Sequence, residues 1–293
     1  MRKFLSNLPY VAKSAVGWTT GTYTIVGLIT IFTDLTALFP EGWVWWQKML
    51  IGLAALLVIF IVCFLWGIAV FCRNQRVCIL TLNGNHHVYV QYGDVFSPDV
   101  VENPNEKRHV VINANRCFDT IVDEKLVSSK TLHGRSMKML YKKHLYDQKT
   151  LQNVIDRELS RETYESIEKA DKPEGNLRRY KEGTIVRVEV DGSLDIYYLG
   201  MSSFDSNLKA HTSMEEYVVS IQRLLEYCNT FANGYPVVLT LMGGGLARTG
   251  REEKQLLEYL VQAIKLNQDK ITYDLHLVVF DKSKNVLPIA GLR

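Results

Sequence analysis

A net charge of +3, spread over 293 residues, leaves this chain without the basic face that a nucleic-acid partner requires. Lys142-Lys143 and Arg178-Arg179 are isolated pairs and read as solvated charge, so no nucleic-acid partner is expected. Cysteine is scarce, and its five copies are an odd number: Cys63 and Cys72 lie in an apolar run, while Cys78, Cys117 and Cys228 are scattered. That pattern speaks against a disulfide framework and for reduced thiols facing the cytosol. No Gly-x-Ser-x-Gly elbow and no His-Glu-x-x-His pair is present, and Cys78 with His86-His87 lacks the remaining ligands of a zinc site. Repeats and low-complexity linkers are missing as well. From these absences no catalytic residue, metal or cofactor is expected.

Charge is also missing from one place in particular. Residues 1–72 hold nearly all the long apolar runs and all five tryptophans. Ala15 to Leu38 carries Asp34 as its only charge, and Met49 to Phe71 carries none across 23 positions. Each run is long enough to span a bilayer, where the threonines of the first can bond to helix carbonyls. Pro40-Glu41-Gly42 turns the chain between them, and Trp43, Trp45 and Trp46 form an interfacial belt. Arg2, Lys3 and Lys13 flank the first run, Arg73 and Arg76 the second, and the loop offers only Lys48 beside Glu41. Both termini are therefore expected in the cytoplasm. The segment from Met1 to Lys13, broken by Asn7, Pro9 and Tyr10, lacks the clean apolar stretch and cleavage site of a secretory signal. Asp34 either reaches the headgroups or has a functional role, lining a pore or pairing between subunits.

The remainder has the composition of a soluble α/β domain on a mixed sheet. Residues 76–82 and 87–92 read as strands joined at Asn83-Gly84-Asn85, and 108–115 as the next strand. Residues 126–145 and 150–167 read as helices, and Asp171 to Gly175 as a turn. Strands at 184–190 and 193–201 straddle Asp191-Gly192. A helix over 213–231, a strand over 236–241, a helix over 251–267 and a strand over 273–280 complete the pattern. The division expected is a transmembrane hairpin over 1–75, with helices at about 15–38 and 49–71, and a ligand-sensing domain over 76–293.

The densest chemical signal is Leu239-Thr-Leu-Met242-Gly243-Gly244-Gly245-Leu246-Ala247-Arg248-Thr-Gly250, a strand that breaks into glycines before a helix. Glycines remove the Cβ atoms that hold an anion away, and a helix start offers free N–H groups, so the stretch suits a phosphate or diphosphate. Arg248 and Arg251 add charge. It is not a P-loop, because Arg251-Glu252 stands where Lys and Ser/Thr are needed, nor a dinucleotide fingerprint, because Arg248 replaces the third glycine. The alternative is a flexible connection that holds no ligand.

Three stretches together resemble the macro domain, the ADP-ribose-binding family. Val88-Tyr-Val-Gln-Tyr-Gly93-Asp94-Val95-Phe96 is similar to the family's strand ending in Gly-Asp-Ile, and Val110-Val-Ile-Asn113-Ala-Asn115 to its Val-Asn-Ala-Ala-Asn strand end. The loop from Met242 to Arg248 stands where the family has its phosphate loop. The resemblance implies that Asp94, with Val95 beside it, reads the adenine amino group, that Asn113 and Asn115 lie beside the distal ribose, and that Gly243, Gly244, Gly245 and Leu246 cradle the diphosphate. After Asn115 the chain departs from the family: a glycine run gives way to Arg116-Cys117-Phe118-Asp119-Thr120, with Asp123 and His133 further on. That departure speaks against hydrolysis and for a reshaped pocket. Asp119, Asp123 and His133 are the groups that a hydrolase of ADP-ribose, NAD or ADP-ribosyl linkages would have to use.

Two apolar helices followed directly by such a domain, together with Met201 to Ala210, resemble the membrane-anchored macro-domain effectors of bacterial Thoeris antiphage systems. The resemblance implies an ADP-ribose-type messenger, histidine-linked ADP-ribose, made from NAD by a partner TIR-domain protein. It implies membrane lipid as the target; because two helices cannot enclose a pore, the active form is expected to be a homo-oligomer. A scaffold that brings ADP-ribosylated partners to the membrane is the further alternative.

Overall fold

The structure is a computed structural model that describes residues 2–32, 42–74, 76–242, 249–279 and 289–292. The chain divides into two compact units, residues 1–77 with 288–293, and residues 78–287.

The first unit is built on two long helices, α1 (Arg2–Phe32) and α2 (Trp45–Asn74). α1 begins well before the expected position and runs through Asn7, Pro9 and Tyr10 without a break. Pro9 forfeits a single N–H bond, and the helix continues past it. Four threonine hydroxyls bond back along α1, as expected: Thr19 to the carbonyl of Ala15, Thr20 to Val16, Thr22 to Trp18 and Thr24 to Thr20. Val11, Ala15 and Thr19, four residues apart, form its buried stripe. Gly67 of α2 approaches this stripe so closely that a Cβ there would stand 3.0 Å from Val11 Cγ1.

Of the two expected spans, the second is supported by length and composition. Among the described residues α2 alone is long and apolar enough to cross a membrane, over Trp45–Val70, and none of that window is buried in protein. Asp34, Pro40 and the end of the expected first span lie outside the described residues.

The second unit is organised around a sheet ordered β1-β2-β10-β9-β3-β7-β6, with β8 paired to β7. Its strands are β1 (Arg76–Thr81), β2 (His87–Tyr92), β3 (Arg108–Asn115), β6 (Thr184–Asp191), β7 (Leu194–Phe204), β8 (Ala210–His211), β9 (Val237–Thr240) and β10 (Leu275–Val279). β2, β10, β9, β3 and β7 run parallel, and β6 joins β7 antiparallel through the Asp191-Gly192 hairpin. The burial of each strand follows from its place. β10 is buried at every position, as a parallel strand covered on both faces must be, whereas β6 alternates in and out at the edge.

α5 (Met214–Phe231) is capped reciprocally by Ser213 and Glu216, and α6 (Glu253–Leu266) by Glu252 and Gln255. The two expected helices before them are shorter. α3 (Leu132–Lys142) starts only at its Thr131 cap, because Asp123, Glu124 and Ser128 fold the preceding residues into turns. α4 (Gln148–Glu158) is capped by Asp147 and Thr150 and stops early, since β4 (Tyr164–Ser166) pairs with β5 (Arg178–Tyr180) in a separate two-stranded sheet.

Candidate ligand-binding site

Five parallel strands bring five C-terminal ends to one edge of the sheet, the edge where open α/β sheets bind ligands. Tyr92, Val279, Thr240, Asn115 and Phe204 end β2, β10, β9, β3 and β7 there. β2 and β3 are three strand spacings apart, so Asp94 and Asn113 stand at opposite ends of an edge about 14 Å wide. A ligand that touches both is longer than a single nucleoside. The chain leaves β9 between them at Met242, which is buried, while Gly243, Gly244, Gly245, Leu246 and Arg248 lie outside the described residues.

At the β2 end, Asp94 turns the chain: its carbonyl accepts from Ser97 N–H, and its Oδ1 from Phe96 N–H at 3.1 Å. Its Oδ2 is 2.6 Å from Arg135 of α3, a partner that sequence reasoning missed. Val95, next to it, is buried in the core. At the β3 end, Asn113 offers a buried Oδ1 that has no hydrogen-bond partner among the described residues. Such an orphan is costly unless something fills it. Asn115 is committed to the chain itself, its Oδ1 accepting from Cys117 N–H at 3.0 Å.

The segment that departs from the macro-domain pattern is a braced wall. Arg116 Nε donates to the carbonyl of Tyr180 at 2.8 Å, and Tyr180 N–H donates back to the carbonyl of Arg116 at 2.9 Å. The same guanidinium reaches Glu216 at 2.9 Å and Glu182 at 3.2 Å. Asn176 Nδ2 holds the carbonyls of Cys117 and Phe118. Phe118 packs against Gly200 so closely that a Cβ on Gly200 would meet its ring at 2.9 Å. Lys172, Asn176 and Tyr180 were also missed, because no local pattern announces contacts more than fifty residues distant.

The three groups a hydrolase would need have other occupations. Asp119 is ion-paired with the buried Lys172, and Asp123 accepts from the Lys125 and Leu126 amides. His133 lies against the Tyr198 ring, and burial pushes its imidazole down to about 4. The thiol of Cys117 is pushed up to about 11 by burial and is unreactive at neutral pH. Among the described residues no group of side chains is arranged to hold a metal.

The sequence profile described as "Thoeris protein ThsA, Macro domain" matches residues 88–280. The chain is 29% identical over 172 residues to the Thoeris protein ThsA of Bacillus amyloliquefaciens (strain Y2), covering 58% of itself and 52% of that protein. It thus spans about half the length of that relative. Among solved structures, a Bacteroides thetaiotaomicron protein is similar at 11% identity with a TM-score of 0.35, over 65% of this chain and 96% of that one. An alphavirus protein titled P23pro-zbd is similar at 12% identity with a TM-score of 0.34, over 70% and 23%. With two thirds of the chain matched by the profile, on the sheet whose C-terminal edge carries Asp94 and Asn113, the protein belongs to the family of the Thoeris protein ThsA macro domain.

Proposed function

We propose that this chain is a membrane-anchored effector of Thoeris-type antiphage defence. Its macro domain binds an ADP-ribose-derived messenger, histidine-linked ADP-ribose made by a partner TIR-domain protein. The observation that carries the reading is the buried, unpartnered Oδ1 of Asn113 on the same strand edge as Asp94. That oxygen asks for a donor such as a ribose hydroxyl, and the carboxylate of Asp94 for one such as an exocyclic amine. The width between them suits ADP-ribose, with its diphosphate at the end of β9.

The output is membrane disruption and abortive infection. α2 crosses the bilayer with α1 packed along it as a second span, both termini in the cytoplasm, and lipid is the target. Two helices cannot enclose a pore, so the active state is a homo-oligomer. The messenger drives assembly only by binding the active state more tightly than the resting one. The protein acts by binding and not by turnover.

The test is calorimetric titration of the full chain in detergent with ADP-ribose, NAD and histidine-linked ADP-ribose, each mixture then being checked for products. The expected result is tight binding of the conjugate, no turnover, and a loss of about tenfold or more in affinity in Asn113→Ala. Turnover would replace the sensor by a membrane-tethered hydrolase, and absence of binding would remove the ligand assignment.

A further inference from the structure

Asp94 does not stand alone at the end of β2. Its Oδ2 accepts from Arg135 Nη2 at 2.6 Å, its Oδ1 from Phe96 N–H at 3.1 Å, and the Arg135 guanidinium lies 5.2 Å from the centre of the Phe96 ring. Arg135 stands on a rigid element. Thr131 caps α3 by accepting from Gly134 N–H, and Gly134 leaves no room for a Cβ against the backbone of Ser128.

Stability does not account for this pair. The side chains of Arg135 and Asp94 are 36% and 49% exposed, and an ion pair so open to water adds little to folding. Helix electrostatics does not account for it either, since a cation near the start of α3 faces the positive end of the helix dipole. Ligand chemistry does. A diphosphate ligand is an anion, and a bare carboxylate at one end of its site would repel it. A carboxylate has about four acceptor directions, of which Arg135 and Phe96 occupy two, so Asp94 retains capacity for an incoming amine.

We infer that Arg135 is a specificity-determining positioning residue of this site: its guanidinium neutralises and aims the Asp94 carboxylate so that it reads the amine of an adenine carried by an anionic ligand. This rests on the ADP-ribose reading above. Its consequence is that the contribution of Arg135 depends on the charge of the ligand. ADP-ribose needs the counter-charge, and adenosine, which lacks phosphate, needs it far less.

The experiment is calorimetric titration of the full chain in detergent with ADP-ribose and with adenosine, for the unaltered protein, Arg135→Ala and Arg135→Lys, at low and high salt. Arg135→Ala is expected to weaken ADP-ribose by about tenfold and adenosine by less than about threefold, with added salt narrowing the difference. Arg135→Lys keeps the charge but not the planar guanidinium against the Phe96 ring, and is expected to weaken ADP-ribose less than Arg135→Ala does. Unchanged or tighter binding of ADP-ribose by a folded Arg135→Ala overturns the inference, as does an equal loss for both ligands. If the alanine variant does not fold, a tenfold loss of ADP-ribose in Arg135→Lys does so instead. An unaltered chain that binds neither ligand removes the ADP-ribose reading and this inference with it, whereas binding that the variants leave unmoved removes this inference alone.

Discussion

The Nζ of Lys172 lies 2.9 Å from Oδ2 of Asp119 and 3.1 Å from Oδ1, with neither side chain reaching solvent. The ammonium also donates to the carbonyl of Asn176 at 2.8 Å, and Asn176 N–H donates to Asp119 Oδ1 at 2.7 Å. Burial pushes the Asp119 carboxyl up, against the pull of Lys172 and the Asn176 amide. The network fastens the wall from Arg116 to Thr120 to the chain leading into β5, so the shape of the site beyond Asn115 depends on a lysine far away in sequence.

Lys172→Met leaves a buried carboxylate without its counter-ion and is expected to cost about 3–5 kcal/mol. Adding Asp119→Asn removes the stranded charge and recovers a large part of the loss. Urea denaturation of the full chain in detergent, followed by far-UV circular dichroism, measures both. Tryptophan fluorescence is unsuited, because all five tryptophans lie in residues 1–72. A cost below about 1 kcal/mol would mean that the pair is not a structural anchor.

Gly175 closes the turn that carries Lys172. Its φ is +86°, and a Cβ there would run into the Asp119 carboxylate, the Lys172 ammonium and Leu126. Gly175→Ala therefore combines backbone strain with overpacking of an ion pair, and a loss of at least about 2 kcal/mol is expected in the same denaturation measurement. Gly192→Ala is the control: its φ is not in the left-handed region and nothing lies within 4 Å of the added Cβ.

The sheet was legible where local chemistry decides. β3 falls at 108–115 as expected because Val110, Val111 and Ile112 form a continuous apolar run between polar ends, and α5 starts at its Ser213 cap. Asp94 and Asn113 were named by the macro-domain resemblance, whereas the parallel strand order that puts both on one edge was not read from the sequence. Pairings that join distant segments were not legible. Arg135 meets Asp94 across 41 residues, and Lys172 meets Asp119 across 53. Lys172, in a polar turn, reads as exposed, and only its tertiary partners bury it. β4 and β5, three residues each, are too short for a periodic signal, and their pairing ends α4 before Ile167.

His133 predicts the acid side of the stability profile. Its folded value of about 4 lies below the ordinary 6.5, so between these values the unfolded chain binds the proton and the folded one does not. The stability contributed by neutral His133 is full above about pH 6.5 and is lost as pH falls toward 4, by about 3 kcal/mol in all. His133→Gln cannot take up that proton, and the difference between its unfolding profile and that of the unaltered chain isolates the effect. Parallel profiles between pH 4 and 6.5 would show that His133 is not held neutral.

α2 carries the membrane assignment, so charge at its centre is the decisive perturbation. Leu57 and Val58 stand at the middle of the apolar window from Trp45 to Val70, and both are exposed from protein, as a lipid-facing surface must be. Each arginine at the centre of a span costs about 2.5–3.5 kcal/mol of apparent insertion free energy, so Leu57→Arg with Val58→Arg is expected to move a substantial fraction of the chain out of the membrane. Alkaline carbonate extraction of membranes from expressing cells reads the partition. The unaltered chain should stay in the pellet and the double variant should shift to the supernatant. Release of the unaltered chain by carbonate would remove the span, and with it the membrane from the proposed function.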